Sequence, residues 1–214
     1  RRPPRSTLFP YTTLFRSLGD KGELIVPLTW KGDNNVVVTK NFHFKPNSYI
    51  VDVDYQITNN SGIEQTVSSY TQLVRDSVDD SGGFALGMRA YSGAATYNDE
   101  EIFEKIKFED FDSTPKTTSK GGWAAMLQHY FFTAWIPNEN EIHTYSTKSN
   151  NDKYLLTTVN PGLKIAPGNQ ATLANNQLYI GPKEHARLEL LAPGIDKTVD
   201  YGILYIVAKP LSVV

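Results

Sequence analysis

From Tyr49 to Thr58 the chain alternates without a break: Val51, Val53, Tyr55 and Ile57 hold every second position, and Asp52, Asp54, Gln56 and Thr58 hold those between. Successive side chains of a strand point to opposite sides, so this pattern describes an extended segment with one buried and one wet face. A helix would scatter the same residues around its circumference. Asn59, Asn60, Ser61 and Gly62 then close the strand as a hairpin loop, and residues 67–74 resume extended structure.

The alternation continues in both directions. Leu24, Val26 and Leu28 alternate with Ile25 and Pro27 ahead of Trp30, residues 31–35 (KGDNN) read as a turn, and Val36, Val38, Lys40, Phe42 and Phe44 follow at period two. Residues 77–83 (SVDDSGG) form a polar loop, and short strands recur from Ile142 to Ile180, broken at residues 150–152 and at Pro167-Gly168. Aromatic residues make up 12% of the chain and are mostly Tyr and Phe, which suits sheet better than helix. Turn signals at such short intervals predict an all-β antiparallel sandwich with a minor helical part.

Two segments fit both periods. In residues 98–113 (NDEEIFEKIKFEDFDS), Ile102 and Ile106 have helical spacing, yet Ile102, Ile106 and Phe108 also share a strand face. The extended reading is preferred, with the acidic residues as a solvated face. In residues 123–136, Trp123, Met126, Leu127, Tyr130, Phe131 and Ala134 would make a helical stripe. The preceding Gly121-Gly122, the terminating Pro137 and the aromatic content favour instead a strand pair buried on both sides. One helix is expected near residues 182–191: Pro182 suits a first turn, and Ala192-Pro193-Gly194 stops it.

Cysteine is absent, which excludes a disulfide framework, a zinc knuckle and a thiol nucleophile. No run approaches the roughly 18–20 apolar residues of a membrane span, and the N-terminus lacks the apolar core of a signal peptide. Residues 1–17 (RRPPRSTLFPYTTLFRS) hold no acidic residue, three prolines and a near-repeat of TLF. Residues 5–17 read like a frame translation of a DNA sequencing adapter, so 1–17 is expected to be a disordered, non-native head. Setting aside Arg1, Arg2, Arg5 and Arg16 leaves 17 basic against 23 acidic residues, a net charge of −6 instead of −2. An acidic body without a basic stripe argues against nucleic acid and against electrostatic adhesion to anionic lipid.

The search for chemistry finds little. His43, His129, His143 and His185 show no metal-ligand spacing. His129 sits among Tyr130, Phe131 and Phe132 and reads as a packed histidine, and His185 as a solvent-facing one on the expected helix. Asp52 and Asp54 share a strand face and could form an acid and base pair, but same-face carboxylates on a wet strand are ordinarily only solvated. Glu139 and Glu141 flank a Pro-Asn turn and need no function. Asn59-Asn60-Ser61 has the form of a glycosylation acceptor, a pattern common by chance. No phosphate-binding glycine loop or serine elbow occurs. No catalytic, cofactor-binding or metal residue is assigned, and no cofactor is implied.

Three stretches, taken in order, resemble one family. Residues 119–137 (SKGGWAAMLQHYFFTAWIP), 179–194 (YIGPKEHARLELLAPG) and 199–211 (VDYGILYIVAKPL) are similar to the Gly-Gly-Trp strand pair, the Gly-Pro-Lys-Glu helix and the Asp-aromatic-Gly entry to the membrane of YidC-type membrane protein insertases. The likeness covers about residues 24–211 and concerns the large periplasmic domain of Gram-negative members. It implies a β-supersandwich related to galactose mutarotase over residues 18–198, and a truncated membrane-proximal amphipathic segment over 199–214. In that segment Tyr201, Leu204, Tyr205 and Ala208 would form the apolar stripe, although a last core strand is also compatible. The resemblance further implies a non-catalytic module on the periplasmic face of the bacterial inner membrane, assisting insertion and folding of membrane proteins. Its implied partners are Sec translocon components including SecDF, with nascent membrane proteins received by a membrane part outside this segment. The competing reading is a carbohydrate-binding or aldose-epimerase-like domain on the same fold.

Overall fold

The computed structural model describes residues 22–32, 34–76, 91–100, 102–128, 130–184 and 188–199. Within them the chain forms fourteen strands. These are β1 (Leu24–Lys31), β2 (Val36–Phe44), β3 (Ile50–Asn59), β4 (Gln65–Val67), β5 (Tyr70–Asp76), β6 (Gly93–Tyr97) and β7 (Phe103–Ile106). There follow β8 (Thr117–Lys120), β9 (Trp123–Leu127), β10 (Phe131–Ile136), β11 (Ile142–Asn150), β12 (Lys153–Val159), β13 (Leu163–Ile165) and β14 (Gln170–Pro182). All of the pairings are antiparallel. They build an eight-stranded sheet in the order β1-β2-β3-β14-β10-β9-β6-β7, a four-stranded sheet in the order β5-β12-β11-β8, and a two-stranded pair of β13 with β4.

The large sheet is buried on both faces at its centre. On its inner face Val53, Ala124, Met126 and Trp135 pack against Leu73, Tyr145 and Leu156 of the four-stranded sheet. On its outer face Trp123, Leu127, Phe132 and Tyr179 pack under the C-terminal segment through Leu188 and Ile195. Each of those two fully buried side chains contributes about 1.5–3 kcal/mol to holding the segment down. A third cluster, Val36, Ile57, Ile165 and Leu173, closes the end beneath the β4–β13 pair.

The alternation at β3 is realised: Val53 and Ile57 are buried, and Asp52 and Asp54 point to the opposite side. Residues 123–127 are buried at every position, as expected of the strand pair β9–β10 with both faces covered. In residues 98–113 the extended reading holds where Ile106 lies, and the helical alternative through Ile102 and Ile106 does not. Strand β7 pairs with β6, Ile106 is buried, and a 3₁₀ turn at Phe108–Asp110 follows.

The expected helix is shorter than residues 182–191. Pro182 is the last residue of β14 and pairs with Phe131, and the Lys183 amide donates to the Tyr130 carbonyl, so strand pairing claims the positions that were to open the helix. Helical bonding appears where the Leu188 amide donates to the Glu184 carbonyl, and residues 189–191 are turn. A 3₁₀ turn at Ile195–Thr198 then follows Gly194. No described helix is long and apolar enough to cross a membrane. Residues 1–17, His129, His185 and the stripe Tyr201, Leu204, Tyr205 and Ala208 lie outside the described residues.

Candidate functional site

A cleft of about 540 Å³ opens on the outer face of the large sheet, beside the C-terminal segment. Its floor carries Asp52 of β3 and Gln177 of β14, opposite one another in register. One rim is Asn98 and Asp99 after β6, and the other is residues 137–140 between β10 and β11. The turn from Lys120 to Trp123 and the segment from Leu191 to Pro193 complete the walls. The volume lies within the range of ordinary small-ligand pockets.

The Gly-Gly-Trp sequence builds one corner of this cleft. Gly122 has φ +81°, and a Cβ there would collide with the Tyr97 carbonyl, so only glycine lets β9 start so close to the end of β6. The corner is tied down from beneath by the Tyr145 hydroxyl, which donates to the Gly121 carbonyl at 2.7 Å. Burial, and secondarily the charge of Asp99, push the Tyr145 phenol upward, so it remains a donor. Trp123 next in sequence stacks on Tyr97 with ring centroids 5.9 Å apart, and its indole nitrogen donates to the Pro193 carbonyl at 2.9 Å.

The carboxylates of the cleft are held by donors from their own chain. Asp99 accepts from the Lys120 amide and the Ser119 hydroxyl, both at 3.1 Å, and the Lys120 amide above all holds its carboxyl below the usual range. Asp52 accepts from Lys45 at 2.7 Å and from Gln177 at 2.9 Å. Burial alone would raise the Asp52 carboxyl, but these two hydrogen bonds and the Lys45 charge outweigh it and leave it lowered. On the rims, the Asn138 side chain accepts the Asn140 amide, and the Asn98 side chain accepts the amides of Glu100 and Ile102.

Asp52 and Asp54 are therefore not simply solvated carboxylates. Their side chains keep only 17% and 13% of their exposure, because β3 lies inside the sheet and its neighbours reach over it. Asp54 accepts from Asn41 at 2.9 Å and is 2.6 Å from Nε2 of His43, whose Nδ1 lies 3.3 Å from Glu23. Carboxylates thus engage both ring nitrogens of His43. In the sequence His43 is only one of four histidines without metal-ligand spacing, since its partners follow from the pairing of β2 with β1 on one side and β3 on the other.

The other predicted positions separate. His143 is 1% exposed, with Nε2 lacking a hydrogen-bond partner and lying 3.8 Å from Glu141, and burial lowers its affinity for a proton. Glu139 lines the cleft. Asn59 is fully buried and donates to the carbonyls of Ile63 and Ile165, which removes it as a glycosylation acceptor and makes it a loop clamp. Among the described residues no group of three His, Cys, Asp or Glu side chains could hold a metal ion.

Comparison with known proteins places these features in context. The family model described as the YidC periplasmic domain matches residues 1–214. The membrane protein insertase YidC of Vesicomyosocius okutanii subsp. Calyptogena okutanii (strain HA) is 52% identical over 212 residues, covering 99% of this chain and 38% of that protein. The same-named protein of Ruthia magnifica subsp. Calyptogena magnifica is 54% identical over 193 residues, covering 90% and 35%. The chain therefore spans little more than a third of these relatives' length. Among solved structures, the α-galactosidase from Lactobacillus brevis superposes with a TM-score of 0.57 at 10% identity, over 80% of this chain and 25% of that one. At that identity the likeness is one of fold.

Proposed function

The chain belongs to the family of YidC periplasmic domains, and from that premise we propose that it is a non-catalytic interaction module of an inner-membrane insertase. Homologues named membrane protein insertase, at 52–54% identity, carry this reading. The module sits on the periplasmic face of the bacterial inner membrane and assists insertion and folding of membrane proteins. Its partners are Sec translocon components including SecDF, and nascent membrane proteins reach the parent through its membrane part. We assign residues 18–198 to the module and 199–214 to the start of the membrane-proximal segment, with Tyr201, Leu204, Tyr205 and Ala208 as its apolar stripe.

The site geometry supports a surface more than a reaction centre. Both nitrogens of His43 are engaged by Glu23 and Asp54, and His143 is enclosed in the core, so neither is poised to move a substrate proton. Isolating the full-length protein from detergent-solubilised membranes, with and without residues 24–199, tests the proposal. Accessory translocon subunits are expected to be lost with the domain, and identical partner sets would overturn it.

A carbohydrate-binding or epimerase-like role draws support from the fold shared with the α-galactosidase and from the cleft volume. It predicts a saturable heat signal or accelerated mutarotation with common aldoses.

A further inference from the structure

The cleft beside Trp123 combines three kinds of surface. Its apolar wall, made by Ile136, Pro137, Leu191 and Ala192, accepts aliphatic groups. Its rims, residues 98–99 and 137–140, present side-chain amides and carboxylates that pair with peptide groups as readily as with water. Its charged residues are Asp52, which Lys45 already pairs, and Asp99, Glu139 and Lys120, so that the acidic charge open to a ligand is that of Asp99 and Glu139 against Lys120 alone. Asp52 and Asp99 are already oriented by Lys45, Gln177, Ser119 and the Lys120 amide, so a ligand need not order them.

From this geometry we infer that the cleft receives an extended polypeptide segment bearing a basic side chain. The aliphatic stem of a lysine or arginine lies along Ile136 and Leu191, its charge meets Asp99 and Glu139, and its backbone pairs with the Asn138–Asn140 rim. Charge complementarity selects this partner over an acidic segment, and the apolar wall selects it over a free cation. The inference rests on the interaction-module reading and specifies the chemistry of the partner.

The test uses the 214-residue chain and three capped hexapeptides identical except at two positions, which carry Lys, Gln or Glu. Binding is read by calorimetry and by the indole resonance of Trp123. The Lys peptide is expected to bind at least ten-fold tighter than the Gln and Glu peptides, to shift the Trp123 signal, and to weaken as salt rises. Glu139→Gln, an exposed change that keeps the fold, should reduce that preference several-fold, and Asp99→Asn should add to the loss. Equal binding of the three peptides, an unmoved Trp123 resonance, or full affinity in both variants would overturn the inference. If the Lys peptide binds as expected while translocon partners are indifferent to the domain, the insertase reading fails and the cleft stands. If partners need the domain but the peptides do not discriminate, only the cleft inference falls.

Discussion

The indole N–H of Trp123 donates to the carbonyl of Pro193 across 2.9 Å, joining the first residue of β9 to the segment that roofs the outer face of the sheet. The two residues are 70 positions apart in the chain, yet their contact sets how far the C-terminal segment can lift. Leu188 and Ile195 anchor that segment by burial, and this hydrogen bond fixes its position over the cleft.

Trp123→Phe removes the donor and leaves the Pro193 carbonyl unmatched, at a cost of about 1–3 kcal/mol. Urea denaturation measures the loss. Amide exchange at Leu188 and Ile195 should accelerate more than at β12, and uniform acceleration would deny that the contact restrains the segment locally.

Gly122 and Gly168 have nearly the same backbone, φ +81° and +75°, but different surroundings. A Cβ at Gly168 meets nothing within 4 Å, whereas one at Gly122 strikes the Tyr97 carbonyl. Gly168→Ala should therefore cost about 1 kcal/mol from backbone strain. Gly122→Ala should cost about 3 kcal/mol or more, because strand β9 must shift. Equal losses in thermal or chemical unfolding would show that the corner has room to relax.

Stability should fall as pH drops below about 6.5, because of His143. Burial lowers its proton affinity in the folded state, so the unfolded chain binds the extra proton more readily in that window. The contribution is complete above the unfolded value and is lost as pH falls toward the folded one. Unfolding midpoints measured from pH 8 to pH 5 should decline in the wild type and decline less in His143→Gln. A variant with an unchanged slope would assign the effect elsewhere.

Lys40 has no carboxylate partner among the described residues, and its amine lies 4.7 Å from the Phe42 ring centroid and 5.4 Å from that of Tyr55. Its half-burial lowers its pKa. The attraction of the amine to these rings is small and is opposed by its desolvation, so Lys40→Met should change stability by less than about 1 kcal/mol. Lys40→Ala should cost more, about 1–2 kcal/mol, through lost packing. If Met and Ala prove equally costly, the charge matters more than the stem.

Much of the architecture was legible because period-two alternation is a local signal. Val51 to Ile57 announced a strand face, and the Gly-Gly before Trp123 with Pro137 after it separated a strand pair from a helix of identical hydrophobicity. Pro182 misled because proline suits both a helix start and the end of a strand, and pairing with Phe131 decided between them. The cleft could not be read in advance: its residues come from β3, the β6 exit, the β8–β9 corner, the β10–β11 turn, β14 and the C-terminal segment. Asp52 and Asp54 looked solvated for the same reason, since Lys45, Gln177, His43 and Asn41 reach them only through strand register.

The most direct test of the interaction-module account is photo-cross-linking in cells from position 139 of the full-length protein, at the cleft rim. The account predicts adducts with polypeptide, either translocon subunits or nascent membrane proteins, that diminish when Asp99 is changed to Asn. No protein adduct at position 139, or adducts there no stronger than those from an exposed control at position 164, would contradict it.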